Sequence, residues 1–285
     1  HALMLTFVNG VNDASHSIAS VVETRARAPL EAGVSSAIAN FIALFIFTAA
    51  VTATFGTALV VPGAMTPLSL VIAMLVSNML IPAVTHIGLP VSGSHAVIGG
   101  IPGSGVAVAG LSALFLPPAS MIRALVLFSL TGAGIGSLIH SILACYLREG
   151  FRPVLVLGVI LGISVTIPLM IPAIILSAAA ITPGTSFGGW KGINKLAEEI
   201  TKIRPYQGFC AASSGGSVLA IVTTSGIPVS STQVMSGSIA GVGATRGVRV
   251  VKWVVTCWMM EAWVVTILLA FALSWSASMV LSWFL

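Results

Sequence analysis

Two short runs of small hydroxyl residues carry the strongest chemical signal in this chain. They are Pro90–Gly105, PVSGSHAVIGGIPGSG, and Pro228–Gly243, PVSSTQVMSGSIAGVG. Displaced by 138 positions, the copies agree at ten of 22 aligned positions between Val84/Val222 and Gly105/Gly243. Each copy reads as an apolar helix broken by Gly-x-Pro, then a hydroxyl-rich start, then a glycine-spaced half-helix. Proline stops the incoming helix and suits the first turn of the next. The residues after it sit where unsatisfied backbone N–H groups point outward with partial positive charge. That is an anion cradle, built twice. Its candidate binding residues are Ser92, Gly93, Ser94 and His95 in the first copy, with Ser230, Ser231, Thr232 and Gln233 in the second. Hydroxyls hold an oxyanion without the grip of arginine, which suits a site that must also release. Ordinary helix capping is the plainer role for one such serine; the duplication favours ligand contact. His95 and Gln233 occupy matching positions and serve either as ligand donors or as polar contacts between helices. Gly99-x-x-x-Gly103 and Gly237-x-x-x-Gly241 read as packing faces.

A second constellation lies near the start of the chain. Asp13 falls inside an apolar stretch, with Asn9 and Asn12 beside it. A carboxylate at the centre of a bilayer costs about 2.5–3.5 kcal/mol on insertion scales, so it should face the protein interior. Carboxylate, amide and backbone oxygens together suit a hard cation such as sodium, and a carboxylate alone can carry a proton. A buried helix cap is the alternative. Glu261 is the other acid within an apolar stretch; pairing with a basic end such as Lys252 is the simpler reading, and proton coupling the other. His16 and His86 read as packing residues. No Walker-type loop or HExxH occurs, so no nucleotide-driven or metalloprotease chemistry is expected; hydrolase chemistry is not expected either, and the protein is not read as an enzyme. Cys145, Cys210 and Cys257 lack metal or disulfide spacing, and no resident cofactor is implied.

The elements that position these residues must be membrane helices. Of the 285 residues, 57% are apolar and only 7% charged, with mean hydropathy +1.09, against about 25% charged in an average globular protein. Such a chain cannot cover itself with polar surface. The expectation is an all-α, multi-pass integral membrane protein of the cell membrane. Its formal net charge of +5 comes from basic residues clustered between apolar runs, where juxtamembrane cations collect. No basic patch interleaves with aromatics, so nucleic acid is not an expected partner.

Candidate spans, at about 20 residues each, are 1–22, 32–54, 68–88, 120–147, 153–181, 206–227 and 250–285; the last is a tilted helix or two segments. Residues 182–204 read as a polar loop followed by a short amphipathic helix, GINKLAEEITKI. The chain opens at His1, already apolar and without a charged leader, and is expected to be a fragment whose first helix has lost its beginning. Interrupted helices at membrane depth are tolerated only when buried in protein or lining a wet cavity. Paired at corresponding positions, they point to the binding site of a secondary transporter.

At these residues the chain resembles the inorganic phosphate transporter (PiT) family of sodium- or proton-coupled carriers. NGVNDASHSIASVVETRA at Asn9–Ala26 is similar to that family's Asn-Asp signature. PVSGSHAVIGG and GIPVSSTQVMSGSIAGVGATRG are similar to its paired re-entrant motifs, and GWKGINKLAEEITKIRPYQGF to the segment before the second. The resemblance implies two inverted repeats, each with a re-entrant, discontinuous helix, divided at 1–150 and 151–285. It implies cotransport of phosphate with sodium or protons. Asn12 and Asp13 would belong to the ion and phosphate site, with Asn9 beside them as a further candidate for the coupling ion, and Ser92, Ser94, Ser230, Ser231 and Thr232 would line the phosphate. The family carries a second Asn-Asp signature at the opening of its second half, and Phe151–Thr182 contains neither residue. His16 stands where asparagine is usual, and Gln233 where histidine is usual.

The expected function is therefore secondary active transport of inorganic phosphate by symport. Other oxyanion carriage (sulfate), an anion channel and a truncated inactive homologue are the alternatives. Phosphate and the lipid bilayer are the expected partners, with a homodimer also possible on the resemblance.

Overall fold

A computed structural model describes residues 2–23, 28, 30–39, 41–42, 59–61, 63–86, 91–114, 171–187, 200–202, 204–224 and 230–283. The described residues form helices α1 (Ala2–Glu23), α2 (Pro67–His86), α3 (Gly93–Ala109) and α4 (Ile171–Phe187), followed by α5 (Pro205–Thr224), α6 (Ser231–Ala244) and α7 (Trp253–Ser282). Residues 30–39 are also helical. The expected spans 120–147 and most of 32–54 and 153–181 lie outside the described residues, as do residues 192–199 of the expected amphipathic helix; its residues 200–202 are described and are not helical. Two described helices, α2 and α7, are long and apolar enough to cross a bilayer.

α2 and α3 form a helical hairpin, and α5 and α6 form another. The same local chemistry starts both. Pro67 and Pro205 occupy the first helical position, where a missing N–H costs nothing. Two residues on, a side chain reaches back to the capping residue. Ser69 Oγ accepts from Thr66 N at 2.9 Å, and Gln207 Oε1 accepts from Arg204 N at 2.9 Å. These are capping-box contacts, and the pairs 66/204, 67/205 and 69/207 extend the register of 138 upstream of the visible sequence repeat.

Each hairpin is closed at its base. Val61 N donates to Ala113 O at 2.9 Å beside an isolated antiparallel bridge between Val60 and Leu114. Lys252 N donates to Ile200 O at 3.0 Å. Matched glycines fit these closures: Gly105 meets Val60 and Met65, and Gly243 meets Thr201 and Val251. The ends of each hairpin are thus neighbours, and its serine-bearing turn sits at the far tip.

α7 holds the two hairpins together. Its first part, through Met259 and Trp263, shares a core with Ile200, Ile239 and Val242 of the second hairpin. Ala270 packs with Leu80, Ile81, Val91 and Ala96 of the first. A Cβ at Gly99 or Gly103 would strike the backbone carbonyls of Ile267 or Phe271, so the Gly99/Gly103 face packs on α7 as expected. α7 is one continuous helix of 30 residues, about 45 Å at 1.5 Å per residue. That length exceeds a hydrocarbon core of about 30 Å, which a tilt accommodates.

One expectation is corrected. Residues 182–187 belong to α4 rather than to a loop, although Pro183 lies inside. The hydroxyls that made this stretch look loop-like bond back along the helix: Thr182 to Ala178 O (2.7 Å), Thr185 to Ile181 O (3.1 Å) and Ser186 to Thr182 O (3.0 Å). Turned back on carbonyls of their own helix, these hydroxyls find partners without a loop.

Candidate functional site

The two hairpin tips meet at one backbone oxygen. The carbonyl of Val91, just before α3, accepts from Asn12 Nδ2 of α1 at 2.7 Å and from Thr232 Oγ1 of α6 at 3.3 Å. Both lone pairs are used, so three elements distant in sequence are tied at a single atom. Asn12 is oriented from its other side as well, where Thr85 Oγ1 near the end of α2 donates to Asn12 Oδ1 at 3.4 Å. Asn9, one turn earlier, lies with its side-chain oxygen against Gly93, so that a Cβ there would have to displace the Asn9 side chain. Asn9, Asn12, Gly93 and Thr232 therefore come together. Asp13 follows Asn12 on α1; its side chain, like that of His16, lies outside the described residues.

The hydroxyls of the two tips are engaged differently. Ser230 Oγ accepts from Gln233 N at 3.2 Å and caps α6. This bond uses a lone pair and leaves the hydroxyl proton. Thr232 spends its proton on Val91 O, so it positions the tip rather than donating to a ligand in this arrangement. Ser92 makes no capping bond; its Oγ lies 2.7 Å from Ser94 Oγ. Two hydroxyls sharing one hydrogen bond retain a further proton between them. Ser231 is half-buried at the first position of α6.

His95 and Gln233 lie one turn deeper. His95 is fully buried, yet neither ring nitrogen has a partner among the described residues; the same holds for Gln233 Oε1. Leaving such groups unsatisfied costs about 1–3 kcal/mol each. Buried polar atoms of this kind call for an explanation in terms of what the site holds. Glu261, by contrast, is exposed beside Met260, Val264 and Val265, and no ion pair joins it to Lys252 among the described residues. Cys210 is buried and Cys257 exposed, both as free thiols.

α1 and α4 cross at glycines in a reciprocal way. A Cβ on Gly10 would strike Ile181 O and Thr185 N, and a Cβ on Gly184 would strike Phe7 O and Val11 N. Each glycine meets the residues three before and one after the other. The two glycines are 174 positions apart, which is the register of this crossing.

Two contributors were not legible in the sequence. Val91 acts through its carbonyl, which no side-chain pattern reports. Thr85 was visible only as half of the matched pair Thr85/Thr223.

Comparison with known proteins shows the family and the fold. The sequence matches the family described as the Phosphate transporter family over residues 9–161 and 153–274. A protein of Rhizobium meliloti named a probable low-affinity inorganic phosphate transporter is 34% identical, over 93% of this chain and 90% of its own length. One of Bacillus subtilis with the same name is 31% identical over the same shares. A solved structure titled "The sodium-dependent phosphate transporter" superposes with TM-score 0.85 at 17% identity, covering 100% of this chain and 98% of that one. The fold is that of the solved transporter, and the chain is an integral membrane protein belonging to the Phosphate transporter family.

Proposed function

We propose that this chain is a multi-pass secondary carrier that moves inorganic phosphate across a membrane by symport with sodium or protons. In this reading its two hairpins are re-entrant elements of inverted repeats, and phosphate sits between their tips. The single observation that carries it is the Val91 carbonyl, which holds α1 and both hairpin tips within one hydrogen-bonded cluster. The names of the relatives support phosphate as the transported anion.

The chemistry follows from the arrangement. Phosphate at neutral pH both donates and accepts hydrogen bonds. Ser92 and Ser94 offer a hydroxyl pair with protons to spare, Ser230 and Ser231 offer the second tip, and two helix starts add positive backbone dipoles. His95 and Gln233 supply polar atoms that have no partner among the described residues. Asp13 would repel the anion if both were charged and alone. A cation or proton bound at Asp13, Asn12 and Asn9 removes that repulsion, and so binding of the ion favours binding of phosphate. This is why a coupled carrier fits better than a passive anion pore.

The test is labelled-phosphate uptake into proteoliposomes with sodium and proton gradients imposed separately, and with excess sulfate as competitor. Saturable uptake driven by one gradient and resistant to sulfate supports the reading. Non-saturating flux indifferent to both gradients contradicts it.

A further inference from the structure

The net charge of the sequence is concentrated in two segments, 191–204 and 246–252. Lys191, Lys195, Lys202, Arg204, Arg246, Arg249 and Lys252 stand against Glu198 and Glu199, seven cations to two carboxylates, which is the whole formal charge of +5. The other five basic and five acidic residues of the chain cancel. The fold explains how segments some 45 residues apart act together. At the base of the second hairpin, Lys252 N donates to Ile200 O at 3.0 Å and Arg246 Nη1 to Lys202 O at 3.1 Å. Lys202, Arg204, Arg246, Arg249 and Lys252 are all exposed there.

Apolar residues are exposed among them. A short 3-10 turn, Val248–Val250, leads into α7. Val248 is 63% exposed, Val254 is 83% exposed, and the Trp253 indole is pinned across the turn by a 2.7 Å bond to Val248 O. Cations alternating with bare valines and an oriented tryptophan, where a membrane-long helix begins, match the chemistry of a bilayer's headgroup level. The base of the first hairpin shows that the architecture does not require this. Its residues 59–67 and 106–114 close the same way and carry no charge.

We propose that the base of the second hairpin is a docking surface for anionic phospholipid headgroups, with the guanidinium of Arg249 and the ammonium of Lys252 taking the headgroup phosphate while Val248 and Trp253 enter the boundary layer. This goes beyond the transport reading and does not depend on it. The full chain is reconstituted in phosphatidylcholine vesicles with or without phosphatidylglycerol. Quenching of the Trp253 signal, isolated by difference from Trp253→Phe, is read with brominated versions of each lipid. The native chain should show preferential quenching by the glycerol lipid. The Arg249→Gln/Lys252→Gln variant should lose that preference by roughly fivefold per cation removed, as should high salt. Equal quenching by both lipids in the native chain, or an undiminished preference in the variant, overturns the proposal. So does a rise in half-saturating phosphate of the same size in both lipid mixtures, since the cluster would then be collecting free phosphate.

Discussion

The two hairpins share a register, a proline start, a closed base and a serine at the tip, yet their tips are set differently. In the second, Ser230 is committed as a cap and Thr232 as a donor to Val91. In the first, Ser92 makes no capping bond, and among the described residues its hydroxyl pairs with that of Ser94. One tip is held and the other keeps its hydroxyls available. Both tips reach the same cluster, and the second carries the added task of fixing the first through Val91.

The strongest way to break this contrast is steric. Gly93→Ala would push a methyl group into Asn9, where overpacking costs about 1–3 kcal/mol. Phosphate uptake should fall roughly 10- to 100-fold, one order of magnitude per 1.36 kcal/mol. The matching residue of the second tip, Ser231, already carries a Cβ. Normal uptake by Gly93→Ala would show that α1 need not touch the first tip.

A smaller effect is expected at the joint between tips. Thr232→Val keeps the shape and removes the hydrogen bond to Val91, worth about 0.5–1.5 kcal/mol; half-saturating phosphate should rise several-fold, and Thr232→Ser should restore it. If the valine variant is unaffected, the tips are not coordinated through this oxygen. Smallest is the capping difference. Ser230→Ala should lower stability by about 1 kcal/mol in thermal unfolding of the detergent-solubilised protein, while Ser92→Ala should leave stability unchanged and weaken uptake. Equal thermal losses would erase the distinction between the tips.

The hairpins were legible because duplication wrote them twice, down to the hydroxyls at each tip. What joins them was not, because Asn12 and Thr232 converge on a backbone oxygen, which leaves no residue signature. The crossing of α1 and α4 escaped for a related reason. Its register is 174 rather than 138, and its contacts run from glycine to backbone. Helix α4 was read as ending early because Thr182, Thr185 and Ser186 resemble loop residues until their internal bonds are seen.

The claim beneath all of this is that both tips serve one phosphate. Uptake kinetics of Ser92→Ala, Ser231→Ala and the double variant test it most directly. The account predicts a raised half-saturating phosphate in each single variant and loss of saturable uptake in the double. Native kinetics in the double variant would contradict it.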